Sequence, residues 1–381
     1  MGKIVKRILS INLPEHQSAF LWGPRKVGKS YWINHNLKNV ILIDLLKTDV
    51  FADFISRPAL LRERYQNTKK MIVIDEVQMV PDLLNEVHWL IENKKIPFLL
   101  CGSSARKLRR KHSNLLGGRA WRHTMTPLSY LEVSDFNLEN TMISGLLPPH
   151  FLSHDSIQDL RAYIADYLKE EIAAESVIQN IPAFSQFLKV CALTSGEILN
   201  YTNIARESGI SAKVVRNYFQ ILEDTLLGYR IQAWKKSQTR KLLETEKFYL
   251  FDVGVANYLA RQKPVFGTRE FGKSFEHFIL MELKTYQAYK NPELEIYYWR
   301  SANGPEIDFI LNNMETAIEI KAKKMVHAID LKPMKILNNE YKIKNKIIVT
   351  CEQEPRFLDD DITVLPWKTF LENLWQGKYT S

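Results

Sequence analysis

The densest chemistry in the sequence lies at Gly23-Pro24-Arg25-Lys26-Val27-Gly28-Lys29-Ser30, which fits G-x-x-x-x-G-K-S between an apolar run and a helical stretch expected from Ser30 to Asn36. In such a loop successive backbone N–H groups and the helix N-terminus surround a β-phosphate. The lysine neutralises β/γ oxygens, and the serine hydroxyl can ligate Mg²⁺. A second apolar run, Met71 to Ile74, ends in Asp75-Glu76, which suits Asp75 to the magnesium and Glu76 to an attacking water. Ser103 closes a third run and is placed to reach the γ-phosphate. The Asn-Lys-x-Asp signature of guanine recognition does not occur, so ATP is the expected nucleotide.

A second constellation lies in the last third. Asp308, Glu319 and Lys321 form Asp-x₁₀-Glu-x-Lys on two expected strands, with Glu276 on a long helix upstream. Glu319 and Lys321 are two apart on a strand and so face one way.

The elements that would position these groups follow from patterning. Short β-branched runs (Ser18–Trp22, Val40–Leu45, Met71–Asp75, Pro97–Cys101 and a weaker one at Trp121–Thr126) alternate with amphipathic stretches, the pattern of a parallel α/β sheet. Residues 155 to 225 are mostly of helical period. There Leu199–Ser208, a turn at Gly209-Ile210-Ser211 and Ala212–Leu226 read as helix-turn-helix, with strands expected at Leu227–Trp234 and Lys247–Phe251. That is the layout of a winged helix whose basic positions Lys213, Arg216, Asn217, Lys235, Lys236 and Arg240 suit DNA phosphates. From about residue 268 the order becomes a long helix, three close strands, a helix and a strand at Lys346–Thr350.

Together these motifs resemble known families. Gly-Pro-Arg-x-x-Gly-Lys-Ser, Asp75-Glu-Val-Gln78 with Pro81, Gly102-Ser-Ser-Ala105, Leu116-Gly-Gly-Arg119, Pro127-Leu-Ser-Tyr-Leu-Glu132 and Tyr167-Leu-Lys-Glu-Glu-Ile172 resemble prokaryotic AAA-like ATPases of the archaeal-ATPase clade, which carry a C-terminal domain of unknown function. The resemblance implies nucleotide binding and hydrolysis, a sensor role for Ser103 and a transition-state role for Arg119. The sequence departs from that family in using Tyr130 and Leu131 after Pro-Leu-Ser, and at Glu171 where Asp is frequent. The last third resembles the PD-(D/E)xK restriction-endonuclease-like core, implying that Asp308 and Glu319 hold one or two divalent metals against the scissile phosphate and that a catalytic Lys321 positions or deprotonates water; the usual Pro-Asp pair is replaced by Glu306-Ile307-Asp308.

Composition bounds the rest. The chain has 381 residues, 45% of them hydrophobic, with 52 Lys+Arg against 43 Asp+Glu for a net charge of +9. That length excludes a single small module, and the basic excess accords with a nucleic-acid partner. The expected division is a P-loop AAA+-like ATPase domain at 1–135, a helical and winged-helix domain at 136–262 and an α/β restriction-endonuclease-like domain at 263–381. Arg106, Lys107, Arg109, Arg110 and Lys111 form an acid-free run suited to a phosphate backbone. Three separated cysteines make neither a disulfide framework nor a metal site. No apolar run approaches the ~20 residues of a membrane span, and Pro14-Glu15-His16 interrupts the basic-apolar N-terminal stretch, so a cytoplasmic protein is expected. The functional expectation is a Mg²⁺-ATP hydrolase coupled to DNA binding, with metal-dependent cleavage at the last domain and homo-oligomer formation both open. Its rivals are a nucleotide-switched DNA-binding or scaffold protein with a silent end domain and a signalling ATPase that contacts only proteins.

Overall fold

The structure, a computed structural model, describes residues 5–104, 106, 108, 116–168, 180–235, 246–301 and 304–380. Two compact units emerge. One holds the chain up to Val133 with Leu147–Pro149 and Gln220–Leu227; the other holds Ser134–Leu146, His150–Phe219 and the chain from Gly228 onward.

The first unit is built on five parallel strands: β1 (Ser18–Trp22), β2 (Ile41–Asp44), β3 (Ile72–Asp75), β4 (Phe98–Gly102) and β5 (Ala120–Thr124), in the order β2-β3-β4-β1-β5. β1, β3 and β4 are buried along their whole length, as continuous apolar runs require in a sheet covered on both faces. The helix Leu83–Lys94 supplies Leu83, Leu84, Val87, Leu90 and Ile91 to the same core as Phe20, Ile72, Ile74 and Leu100. β1 runs between β4 and β5, with Trp22 opposite both Gly102 and Thr124, so the loops leaving β1 and β4 emerge side by side. In an open α/β sheet such carboxyl ends are where ligands bind.

In the second unit a helical layer precedes a mixed sheet. Asn180 caps the helix Ile181–Leu193, Asn200 caps Tyr201–Ser208, and Gly209 ends the latter at φ 67° before Ala212–Asp224 begins. Phe187, Phe219 and Phe248 pack edge to face, with ring centroids 5.0 and 4.7 Å apart. Asp252 accepts from Val255 N at 2.9 Å and Leu146 N at 2.7 Å, joining the helix Val253–Ala260 to the end of Leu138–Ser144. Those helices meet at Gly254, where a Cβ would lie 2.3 Å from Gly145 N.

The strands here are β6 (Gly228–Gln232), β7 (Glu246–Leu250), β8 (Ile296–Arg300), β9 (Glu306–Leu311), β10 (Thr316–Lys321), β11 (Asn345–Thr350), β12 (Arg356–Phe357) and β13 (Ile362–Pro366). β6 and β7 form an antiparallel pair, and the other six form a sheet in the order β12-β13-β11-β10-β9-β8. β9 is antiparallel to both β8 and β10, whereas β10, β11 and β13 are parallel. A bridge between Ala233 and Tyr298 carries β6 onto β8. The expected helix, three strands, helix and strand are present as Arg269–Tyr289, β8 to β10, Lys332–Glu340 and β11. β13 and the helix Trp367–Trp375 are additions that the patterning did not reveal. Among the described residues no helix is long and apolar enough to cross a membrane.

Candidate functional sites

The loop after β1 turns on two glycines. A Cβ at Gly23 would stand 2.5 Å from Met125 O, and Gly28 holds φ 97° where it starts the helix Lys29–Asn36. Lys29 is buried, and its Nζ donates to Gly23 O at 2.6 Å and Pro24 O at 3.1 Å. Ser30 Oγ donates to Asp75 Oδ2 at 2.7 Å, so hydroxyl and carboxylate converge although 45 residues separate them. That pair has the oxygen chemistry that Mg²⁺ requires.

Beyond Asp75 the backbone turns sharply, with Glu76 at φ 56°, a left-handed conformation unusual for a residue with a side chain. The turn directs Glu76 inward, where it is 7% exposed and its carboxylate accepts from Gln78 Nε2. The same amide nitrogen donates to Ser103 Oγ at 3.1 Å, so Glu76, Gln78 and Ser103 form one chain across β3 and β4. Gly102 makes room for it, because a Cβ there would lie 2.2 Å from Gln78 Oε1. Gln78 is the link the sequence analysis did not assign.

A second unassigned group braces the loop from behind. Arg7 donates to Val27 O within the loop, to Thr126 O at 2.7 Å and to Pro127 O at 3.2 Å, and it pairs with Glu132 at 2.9 Å. Its side chain is 3% exposed and that of Glu132 0%. Glu132 also accepts from Ile8 N at 2.7 Å and Ser129 N at 3.0 Å, which gives the Pro-Leu-Ser-Tyr-Leu-Glu segment a structural purpose.

Arg119 lies away from the loop of its own chain. It precedes β5 at the opposite edge of the sheet from the loop, since Ala120 aligns with Ser18 at the start of β1. Its carbonyl accepts from Gln17 at 3.1 Å, and its side chain pairs with Glu92. From there it reaches no phosphate bound by its own loop. Arg106 is likewise engaged, pairing with Asp224 at 3.2 Å; Lys107, Arg109, Arg110 and Lys111 lie outside the described residues.

In the second unit, β9 and β10 carry the other constellation. Ile318 opposes Phe309, and Ile320 N donates to Asp308 Oδ2 at 2.7 Å, which sets Asp308 beside Glu319. Lys321 donates to Glu319 Oε1, and Glu276 approaches from the helix Arg269–Tyr289. Burial, then the neighbouring charges of Glu319 and Glu276, push the Asp308 carboxyl well above the usual carboxylate range. Burial lifts Glu319 to about 7 against the opposing pull of Lys321. Burial disfavours the Lys321 ammonium, but Glu319 and Asp308 outweigh it and hold the group above its ordinary value. Glu319 is 3% exposed, and among the described residues its Oε2 has no hydrogen-bond partner. Such an oxygen suits a cation. An open cleft of about 770 Å³ reaches Glu276, Asp308 and Lys321, with Arg269, Lys323 and Lys324 on its walls.

Two residues from β7 complete this cluster unannounced by any motif. Lys247 Nζ lies 2.5 Å from Glu306 and 3.6 Å from Glu276, over the Tyr298 ring, while Tyr249 OH donates to Glu276 Oε1 at 2.5 Å. Burial opposes the Lys247 charge, yet Glu276, Asp308 and Glu306 outweigh it and raise the group above its ordinary value. Among the described residues no three His, Cys, Asp or Glu side chains are arranged to hold a metal ion.

On the helix Ala212–Asp224, Val215, Tyr218 and Phe219 pack inward and Val214 is only half-buried. Lys213, Arg216, Asn217 and Gln220 are exposed, with the Arg216 guanidinium 4.8 Å above the Tyr201 ring. Lys235 is half-buried; Lys236 and Arg240 lie outside the described residues, as do Glu171 and Asn303. Cys101 and Cys191 are buried free thiols, whose burial pushes them above their ordinary range, and Cys351 is half-buried.

Residues 15–134 match a family described as an AAA domain, residues 135–265 a domain of unknown function (DUF8612), and residues 271–370 another (DUF4143). Among curated proteins the chain is similar to uncharacterized proteins of Mycobacterium tuberculosis and Mycobacterium bovis. It is 26% identical to each over 261 residues, covering 66% of this chain and 58% of theirs. An uncharacterized protein of Methanocaldococcus jannaschii is 21% identical over 345 residues, covering 81% of this chain and 75% of its own.

Proposed function

We propose, from an N-terminal third that is an AAA-like ATP-binding domain, that this chain hydrolyses Mg²⁺-ATP at Gly23 to Ser30. The observation that carries the reading is the Ser30–Asp75 contact at 2.7 Å beside a loop lysine that donates to the carbonyls of Gly23 and Pro24. Lys29 would exchange Gly23 O and Pro24 O for phosphate oxygens. Ser30 and Asp75 would hold Mg²⁺, which neutralises charge on the transferred phosphoryl group. Glu76 would orient water, with Gln78 fixing its carboxylate and Ser103 facing the γ-phosphate. Arg7 and Glu132 keep the loop in the shape that presents its N–H groups. A turnover assay tests this: Lys29→Ala should abolish ATP hydrolysis, and wild-type-like turnover in that variant would overturn the assignment.

A second reading concerns the other unit. The buried Asp308 and Glu319 on adjacent strands, one oxygen without a hydrogen-bond partner among the described residues, with Lys321 beside them, support a metal-dependent phosphodiester-cleaving site of PD-(D/E)xK type. The residues fit one divalent cation, held by the two carboxylates. The exposed Lys213, Arg216 and Asn217 support DNA contact through a winged-helix-like segment, with ATP occupancy gating access. DNA cleavage by wild type, Asp308→Ala and Lys321→Ala, with Mg²⁺ or Mn²⁺ and with or without ATP, tests it. Cutting lost in both variants supports the reading. No cutting, or equal cutting, turns the end domain into a scaffold.

A further inference from the structure

The carboxylate cluster of the second unit holds a cation of its own, supplied by a strand that belongs to no part of the Asp-x₁₀-Glu-x-Lys pattern. We propose that Lys247 is a resident positive charge of the Asp308–Glu319 site that commits the helix carboxylate Glu276 and so restricts the site to a single divalent cation. This rests on the metal-binding reading given above and deepens it.

Four carboxylates, Glu276, Glu306, Asp308 and Glu319, gather around two ammonium groups, Lys247 and Lys321. Lys321 serves Glu319. Lys247 lies between Glu276 and Glu306, and its side chain is only 3% exposed. A lysine so buried is held where it is by ionic partners, because an unpaired charge there would be costly. Tyr249, two residues on and on the same face of β7, donates to the same Glu276 oxygen that Lys247 approaches. Glu276 therefore answers to β7. That agrees with the lack, among the described residues, of any third carboxylate placed with Asp308 and Glu319 to hold a metal. A two-metal site needs further anionic ligands to bridge ions about 4 Å apart, and here the available one is already neutralised.

The position of β7 adds a consequence. It pairs with β6, whose extension at Ala233 joins β8 next to β9. Lys247 and Tyr249 are positioning residues through which Glu276 is set.

Calorimetric titration of full-length protein with Mn²⁺ alone, without nucleotide or DNA, tests the proposal, with binding at this site defined as that lost in Asp308→Asn. Wild type should bind one Mn²⁺ there. Lys247→Met frees Glu276 and removes a nearby positive charge, so it should bind a second Mn²⁺ or bind the first on the order of tenfold more tightly. Tyr249→Phe keeps the charge and loosens Glu276, and should give a smaller gain of roughly two- to threefold; it also serves if Lys247→Met melts without a cooperative transition. Two Mn²⁺ in wild type, or unchanged stoichiometry and affinity in the folded variants, would overturn the role of Lys247. No Asp308-dependent binding in wild type would instead sink the metal reading itself.

Discussion

The two charged sites of this molecule are solved in opposite ways. Around the nucleotide loop each key group already has a neighbour: Lys29 rests on loop carbonyls, Ser30 on Asp75, Glu76 on Gln78, and Arg7 on Glu132. At β9 and β10 the charges are crowded instead, with Asp308 and Glu319 pushed upward by burial and, among the described residues, one Glu319 oxygen without a hydrogen-bond partner. The first site pairs each group with one neighbour, whereas the second packs several carboxylates around Lys321 and Lys247. Preorganised polar groups favour catalysis, and strained ones favour ligand-dependent stability.

The largest effect should come from breaking the organised site. Glu76→Gln should lower ATP turnover by on the order of 100-fold or more while nucleotide binding persists, which single-turnover hydrolysis with a parallel binding measurement would show. Next is its brace. Arg7→Ala strands the buried Glu132 carboxylate and should destabilise the first unit by about 3 kcal/mol, with a raised KM for ATP. Thermal unfolding and steady-state kinetics on one preparation would separate the two effects.

The crowded site should respond with the opposite sign. Because the folded Glu319 carboxyl titrates above its unfolded counterpart, its penalty is absent below about pH 4.5, grows with rising pH and is complete above about 7, costing about 3 kcal/mol at most. Asp308→Asn should therefore raise the melting temperature at pH 8, and Mn²⁺ should stabilise wild type but not that variant. A lower melting temperature for Asp308→Asn would erase the contrast between the sites. The smallest effect concerns the exposed helix face: Lys213→Ala and Arg216→Ala should each reduce the salt dependence of DNA binding by about one unit of slope. Binding that ignores salt would favour a protein partner.

The same contrast explains what could be read in advance. The nucleotide loop is contiguous and flanked by apolar runs, so Gly23 to Ser30, Asp75 and Glu76 announce themselves, and β1 to β4 fall within a residue or two of the expected runs. Arg7 does not, because its value comes from carbonyls of Val27, Thr126 and Pro127 that only the folded chain brings near. Gln78 was visible as part of a motif, but its role depends on the space left by Gly102. Asp308, Glu319 and Lys321 were legible through strand period. Lys247 and Tyr249 were not, since a lysine opening an apolar strand resembles a solvated hairpin base until Glu276 and Glu306 are seen around it. Arg119 shows the reverse hazard: a suggestive Leu-Gly-Gly-Arg lands at the far edge of the sheet because β5 runs parallel to β1.

The central claim is that Glu76, fixed by Gln78 beside the Ser30–Asp75 pair, drives ATP hydrolysis. Its most direct test is single-turnover hydrolysis of radiolabelled ATP by wild type and Glu76→Gln, with bound nucleotide measured in the same samples. The account predicts comparable ATP occupancy in both and release of phosphate from wild type alone. Equal phosphate release from the two proteins, or no ATP bound by wild type, would contradict it.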